Sequence, residues 1–347
     1  MFIHHEPASL ETLDQANVLR DRPVFICGHP KAGTSLLRAV LDSHPQLVVY
    51  PEETVFFRRT LPQLDDQAVN AQIKLAERTL IHIFRWNRAE PDPSQNGFTD
   101  RDYSTIPYEV VRTNMVELLK SRSSHPGDLL SAAVLAYGMT VGASLPETSH
   151  WVEKSPYNEY YANQIFSWWP EARCIHILRD PRDNFASYRR KHPDWNAEFF
   201  SSNWSRSTDA GMNNQRIFGE DRYWFVRFED LARSPEEYLS RLAIFLNISW
   251  NPSLINPTRA GQQWGGNSMF EDQFEHISTA PLSRWKDSLS QVDAEVITLM
   301  TDKLLKRYDY PNDSTHQLGT QIVAQIRSFS WPVRRPFYHL RKASLAT

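Results

Sequence analysis

The sequence predicts an α/β protein: three layers, α/β/α, around a mostly parallel central sheet. Three observations predict it. Short apolar, β-branched or aromatic runs recur at "PVFICG" (23–28), "RCIHIL" (173–178) and "RYWFV" (222–226). Each is followed by a short loop and then by apolar residues at helical spacing. Runs of this kind are strands buried on both faces, and strands that alternate with helices build a parallel sheet covered on both sides.

The elements follow in order. Residues 1–22 read as a polar lead-in. "PVFICG" is a strand entering a glycine turn, and "TSLLRAVLDSH" places Leu36, Leu37, Val40 and Leu41 on one helix face with Thr34 or Ser35 near its start. "QLVVYPEE" is a second strand that ends at Pro51. Residues 62–86 and 103–124 are helical, and the Pro-, Asp- and Asn-rich stretch 87–102 between them is a loop. "PGDLLSAAVLAYGMTVG" is a helix, "HWVEKSP" a strand, and "YYANQIFSWWPEA" a helix that stops near Pro170. After the strand Arg173–Leu178 come the loop "RDPRD" and another helix, and residues 222–248 repeat strand, turn and helix. The tail "SFSWPVRRPFYHLRKASLAT" is basic and aromatic with two prolines, and either packs on the body or lies loose.

Composition narrows the function classes. The chain has 347 residues, 41% of them hydrophobic, and a formal net charge of -3. That balance argues against a general nucleic-acid binder and leaves room for a local basic pocket. Cys27 and Cys174 both fall in strands and read as buried, reduced thiols. The start, "MFIHHEPASLETLDQ", lacks a basic stretch followed by an apolar one, and no apolar run approaches the roughly 18 residues of a membrane span. The expectation is a cytoplasmic protein with no membrane span. The histidine pairs lack ligand spacing, so no metal is expected.

Two stretches carry chemistry. In "FICGHPKAGTS", Gly28 and Gly33 let backbone amides and a helix start come close to an anion, with Lys31, Thr34 and Ser35 as further donors. In the triphosphate motif G-x-x-x-x-G-K-[ST] the lysine follows the second glycine, whereas Lys31 precedes Gly33 and Thr34 follows it. This departure speaks against a small-molecule kinase. The plain alternative is an ordinary glycine turn. In "LRDPRDNFASYRRK", Arg179 ends a strand, Ser187 lies eight residues on, and Lys191 shares its helix face. Arg179 and Ser187 could pinch a second phosphate; otherwise Arg182 pairs with Asp180 or Asp183 and the rest is surface.

Together, and in this order, "PKAGTSLLRAVLDSHP" and "ILRDPRDNFAS" resemble the sulfotransferase family that uses 3′-phosphoadenosine 5′-phosphosulfate (PAPS). The following "PEETVFF" is similar to the branch that holds tyrosylprotein sulfotransferases and many bacterial sulfotransferases. The resemblance implies a sulfotransferase fold similar to that of P-loop nucleoside-triphosphate hydrolases. It implies one domain over residues 1–347, with a core at about 22–305, a helical acceptor-side insertion at 60–149 and a C-terminal extension at 306–347. Lys31, Ala32, Gly33, Thr34 and Ser35 would hold the 5′-phosphosulfate, and Arg179, Ser187 and Lys191 the 3′-phosphate. Glu53 would be the general base, Lys154 of "WVEKSP" would sit beside the sulfuryl group, and Ser268 of "GQQWGGNSMF" would approach it. Trp285 of "LSRWKDSL" matches a late tryptophan element and is as readily core as ligand contact.

The implied reaction transfers the sulfuryl group of PAPS to an acceptor hydroxyl and leaves 3′-phosphoadenosine 5′-phosphate (PAP). A glycan, a lipid-linked alcohol or another small-molecule alcohol or phenol is the expected acceptor. It would be held by residues 60–149 and by loops around Trp195 to Trp204. Two departures bear on this. "VRFEDLARSP" offers Arg227 and Phe228 where the family has a tyrosine, and Val55 stands where tyrosylprotein sulfotransferases carry an arginine. The second argues against a peptide acceptor. A binding module without turnover is the remaining alternative, and the joint presence of Glu53, Lys154 and Ser268 argues against it.

Overall fold

Five runs form one sheet in the computed structural model, which describes residues 3–64, 69–267, 269–270, 272–313 and 317–344. They are β1 (Pro23–Cys27), β2 (Leu47–Val49), β3 (His150–Lys154), β4 (Arg173–Leu178) and β5 (Tyr223–Arg227). The order is β2-β3-β1-β4-β5, and every pairing is parallel. β1 to β3 are buried at every position, as strands covered on both faces must be.

Side-chain alternation makes the three layers. Phe25, Cys27, Trp151 and Cys174 join one apolar cluster; Val24, Ile26, Val152, Ile175 and Ile177 join another on the opposite face. The helices are α1 (Leu10–Leu19), α2 (Thr34–Leu41), α3 (Val69–Thr79), α4 (Tyr108–Ser121), α5 (Asp128–Thr140), α6 (Ala162–Trp168) and α7 (Pro181–Lys191). The rest are α8 (Ala197–Phe218), α9 (Phe228–Arg233), α10 (Pro235–Leu246), α11 (Trp285–Ser288), α12 (Gln291–Arg307) and α13 (Leu318–Ser344). The first cluster takes side chains from α1 and α3 to α6, the second from α2, α9 and α10.

Two expectations change, and one left open is decided. The polar lead-in contains α1, capped by Ser9 and buried only at Ala16 and Leu19, too narrow a stripe to mark a helix in the sequence. β5 runs into α9 without a turn. The C-terminal tail is helical through Pro332 and Pro336 and packs on the body, where Arg327 and Arg334 both reach Glu198.

β1 and β4 are adjacent and parallel, so the loops after them must leave the sheet at the same edge. The carboxyl edge of such a sheet is where α/β proteins bind ligands.

Candidate active site

The first loop owes its shape to two glycines. Gly28 has φ 128°, and a Cβ there would stand 2.5 Å from the Ile177 carbonyl oxygen. Gly33 has φ 109°, and its Cβ would fall 2.5 Å from Cδ2 of Phe228. Neither position admits a side chain. Gly33 also gives α2 no side-chain cap, so the first amides of the helix stay open toward the cleft that Thr34, Ser35 and Leu36 line. The Gly28 amide donates to the buried Glu159 carboxylate at 3.0 Å, which pins the start of the loop. Ala32 is core, and its amide donates to the His29 carbonyl, so it shapes the loop rather than opening to the cleft.

Lys31 lies in the left-handed region at φ 66°, and its ammonium donates to the Asn267 carbonyl at 3.3 Å. Burial, with the Lys191 and Lys154 charges nearby, pushes its pKa down to about 8.

The second loop is built from side chains. Arg179 is buried and reaches the Lys31 carbonyl (3.3 Å), the Ser187 hydroxyl (3.3 Å) and the Pro281 carbonyl (2.8 Å). Its guanidinium lies 4.7 Å from the Phe228 ring centre, and its Nε has no hydrogen-bond partner. A buried guanidinium with an unspent donor in a cleft fits an anion. The carboxylate of Asp180 caps α7 and pairs with Arg182 at 2.7 Å, while the Asp180 amide donates to Glu229 at 2.8 Å. Burial raises the Glu229 pKa to about 7. Lys191 is exposed at the end of α7 and is not among the residues lining the cleft, although its charge bears on both Lys31 and Glu53.

Glu53 and Lys154 meet beside Ser35, at the start of α2. Lys154, buried at the end of β3, places its ammonium 2.5 Å from Glu53 Oε1 and 3.2 Å from the Ser35 hydroxyl. The Asn267 amide reaches the same hydroxyl at 3.2 Å. Burial alone would raise the Glu53 pKa, but the adjacent Lys154 ammonium, together with the charges of Lys191 and Arg58, outweighs it and holds the carboxyl below its ordinary value. Val55, at φ 50°, donates its amide to the Ser155 hydroxyl. A β-branched residue there is strained, and the strain sits two residues from Glu53.

Glu52 faces away from this group. It accepts from the Tyr103 hydroxyl at 2.7 Å and pairs with Arg101 at 3.0 Å, a structural role.

Sequence reasoning left several wall residues unnamed. Trp264, Phe270, Phe274 and Ile277 line the cleft from an irregular segment opposite the loops, and Phe228 closes its floor. Their signal was the aromatic content of a segment otherwise rich in glycine and polar residues. Ser268 lies outside the described residues; Asn267 and Met269 on either side of it line the cleft. Trp285 is packed against Ala186 and Ala294 beneath Arg182 and is core.

A second, more polar cleft shares Trp264, Gly266 and Asn267 with the first. Arg88, Arg101 and Tyr103, from the 60–149 region, line it together with Arg259 and Gln262. The expected loops around Trp195 to Trp204 are corrected from Ala197 on. Residues from Ala197 onward belong to α8, and Trp204 is fully buried against α12 side chains.

This is an α/β protein with a cleft lined by Lys31, Arg179 and hydroxyl side chains at the carboxyl edge of its sheet, and a carboxylate–lysine pair beside Ser35. The chain belongs to the sulfotransferase family, whose model matches residues 23–252. It is similar to the protein-tyrosine sulfotransferase of Drosophila melanogaster, 20% identical over 82% of this chain and 50% of that protein. It is also similar to protein-tyrosine sulfotransferase 1 of Danio rerio, 24% identical over 82% of this chain and 72% of that one. The chain thus spans only half the length of the Drosophila relative. Among solved structures, the sulfotransferase domain from the curacin biosynthetic pathway shares the fold, with a TM-score of 0.54 at 18% identity over 83% of this chain and 97% of that domain. Among the described residues, no helix is long and apolar enough to cross a membrane, and no group of side chains forms a metal site.

Proposed function

We propose that this chain transfers the sulfuryl group of PAPS to an acceptor hydroxyl, with PAP as the second product. The observation that carries the reading is the Lys154 ammonium, 2.5 Å from Glu53 and 3.2 Å from Ser35. It joins the candidate base to the loop that would hold the leaving phosphate.

In this reading the acceptor oxygen attacks sulfur and its proton passes to Glu53. The sulfur–oxygen bond to the phosphate breaks, and the electron pair leaves with the phosphate oxygen. Charge builds on that oxygen, so preorganised donors do most of the work. The open amides of α2, Thr34 and Lys31 supply them; Arg179 and Ser187 hold the 3′-phosphate. A carboxylate held low by Lys154 is a weak base in the free protein. An anionic donor beside Ser35 gives Lys154 a second partner, which loosens its hold and raises the basicity of Glu53 as the donor arrives.

The acceptor reading is a glycan, lipid-linked or other small-molecule hydroxyl entering beside the polar cleft of Arg101, Tyr103 and Gln262. A cytoplasmic setting belongs to the same proposal and rests on two buried free thiols, Cys27 and Cys174. A tyrosine acceptor is a second reading, favoured by the names of the relatives and by Arg58. The charge of Arg58 bears on Glu53, although the arginine expected at position 55 is missing.

Labelled PAPS offered with alcohols, phenols, glycans and a tyrosine peptide tests the proposal. Labelled product with no ATP and no added magnesium is expected. Transfer from ATP that depends on magnesium would replace the reading with a kinase.

A further inference from the structure

The C-terminal helix leaves a second surface unexplained. Leu318, Ile322, Ile326, Phe329 and Val333 recur at helical spacing along α13 and are 69%, 47%, 62%, 84% and 73% exposed. The opposite side of the helix is spent on the body. Ala324 and Trp331 are buried there, Arg327 and Arg334 pair with Glu198, and the Trp331 indole donates to Ser202 at 2.9 Å. The stripe therefore stays outward while the helix remains fixed to the fold. A row of this size is unusual on a protein surface facing only water.

Charge indicates what covers it. Residues 318–344 contain no Asp or Glu; of their basic residues Arg327 and Arg334 are held by Glu198 on the body, and Arg335, Arg341 and Lys342 remain as the positive charge of the helix, in a chain whose net charge is -3. An outward apolar stripe on an acid-free basic helix is the composition of helices that lie in a bilayer interface. Two copies of such a helix would bring like charges together, whereas an anionic lipid surface complements them.

We propose that α13 docks the protein on an anionic membrane surface, lying in the interface plane with its apolar stripe inserted. The inference is independent of the reaction. The Tyr338 hydroxyl donates to the Asp194 carbonyl at 2.5 Å, so the docked helix is tied to the loop that follows Lys191.

Cosedimentation of the full chain with vesicles tests this, using phosphatidylcholine alone or with about 30% phosphatidylglycerol. Binding to the anionic vesicles, weakened by salt, is expected. The I326E/F329E double variant should reduce the bound fraction by about tenfold or more. Both positions are solvent-exposed, so an unchanged thermal melt certifies the fold. No binding of the wild type to anionic vesicles overturns the proposal, as does equal binding of the double variant. So does a concentration-dependent dimer that the double variant disperses, which would make the stripe a self-interface.

Discussion

The loop after β1 and the loop after β4 leave neighbouring parallel strands at one edge, and each opens into a helix. In the first, Gly33 leaves α2 uncapped, and the donors are backbone amides brought close by residues without side chains. In the second, Asp180 caps α7 with its own carboxylate, and the donors are side chains, Arg179 and Ser187. Both loops are pinned from behind by a buried carboxylate, Glu159 at Gly28 and Glu229 at Asp180. An open helix start is suited to a group that changes charge during reaction, because its dipoles do not move. A buried arginine is suited to a phosphate that only has to be recognised. On the proposed function the first loop serves the reacting end of the donor and the second its 3′ end.

The largest expected effect separates both loops from the chemistry. Glu53 belongs to neither, so Glu53→Gln should lower turnover by a factor on the order of 10² or more while PAP affinity, read by calorimetry, stays nearly constant. Undiminished turnover would remove the base from Glu53.

The next effect tests the division of labour. Arg179→Ala should weaken PAP binding by on the order of 10², the worth of hydrogen bonds to a charged group, and leave adenosine 5′-phosphate within about threefold. Gly33→Ala should weaken both nucleotides alike, since its Cβ would strike Phe228 and distort the loop common to them. If Arg179→Ala also weakened the two nucleotides equally, the loops would not be specialised.

The contrast also explains what could be read from the sequence. The sheet was legible because β1, β4 and β5 are short apolar runs that periodicity isolates. The two loops were legible because each depends on spacing along the chain, Gly28 to Gly33 and Arg179 to Ser187. Pairs such as Lys154 with Glu53 were reachable only through family resemblance, being 101 residues apart. The wall formed by Trp264, Phe270 and Phe274 has little regular structure and hence no period. Trp204 was misplaced because a lone tryptophan signals bulk and not direction; the helical face that buries it is set by α12, far along the chain. Arg58 near Glu53 was missed because it is out of register with the position where the family carries its charge.

A smaller effect concerns Lys31 and has a defined sign. Its pKa is lowered to about 8, so the ammonium is present below that pH and lost above it. PAP affinity should therefore fall by up to about tenfold per pH unit above pH 8, with Lys31→Arg removing the slope. Stability of the unliganded protein should run the other way. A lowered lysine pKa means that the unfolded chain holds the proton more tightly, so stability rises as pH climbs from about 8 toward the ordinary lysine value. A flat affinity profile in the wild type would place Lys31 outside the anion site.

The smallest effect decides which donor in the second loop carries recognition. The Ser187 hydroxyl stands 3.3 Å from Arg179 and can both orient the guanidinium and meet the phosphate. Ser187→Ala removes one hydrogen bond and should weaken PAP by about three- to tenfold, well short of the arginine variant. The double variant Ser187→Ala/Arg179→Ala settles how the two act. If the hydroxyl works mainly by holding the arginine, its loss should cost little once Arg179 is gone, and the cycle shows a coupling on the order of 1 kcal/mol. Additive losses would mean that Ser187 meets the phosphate on its own. A Ser187→Ala loss as large as that of Arg179→Ala would move recognition of the 3′-phosphate from the arginine to the hydroxyl.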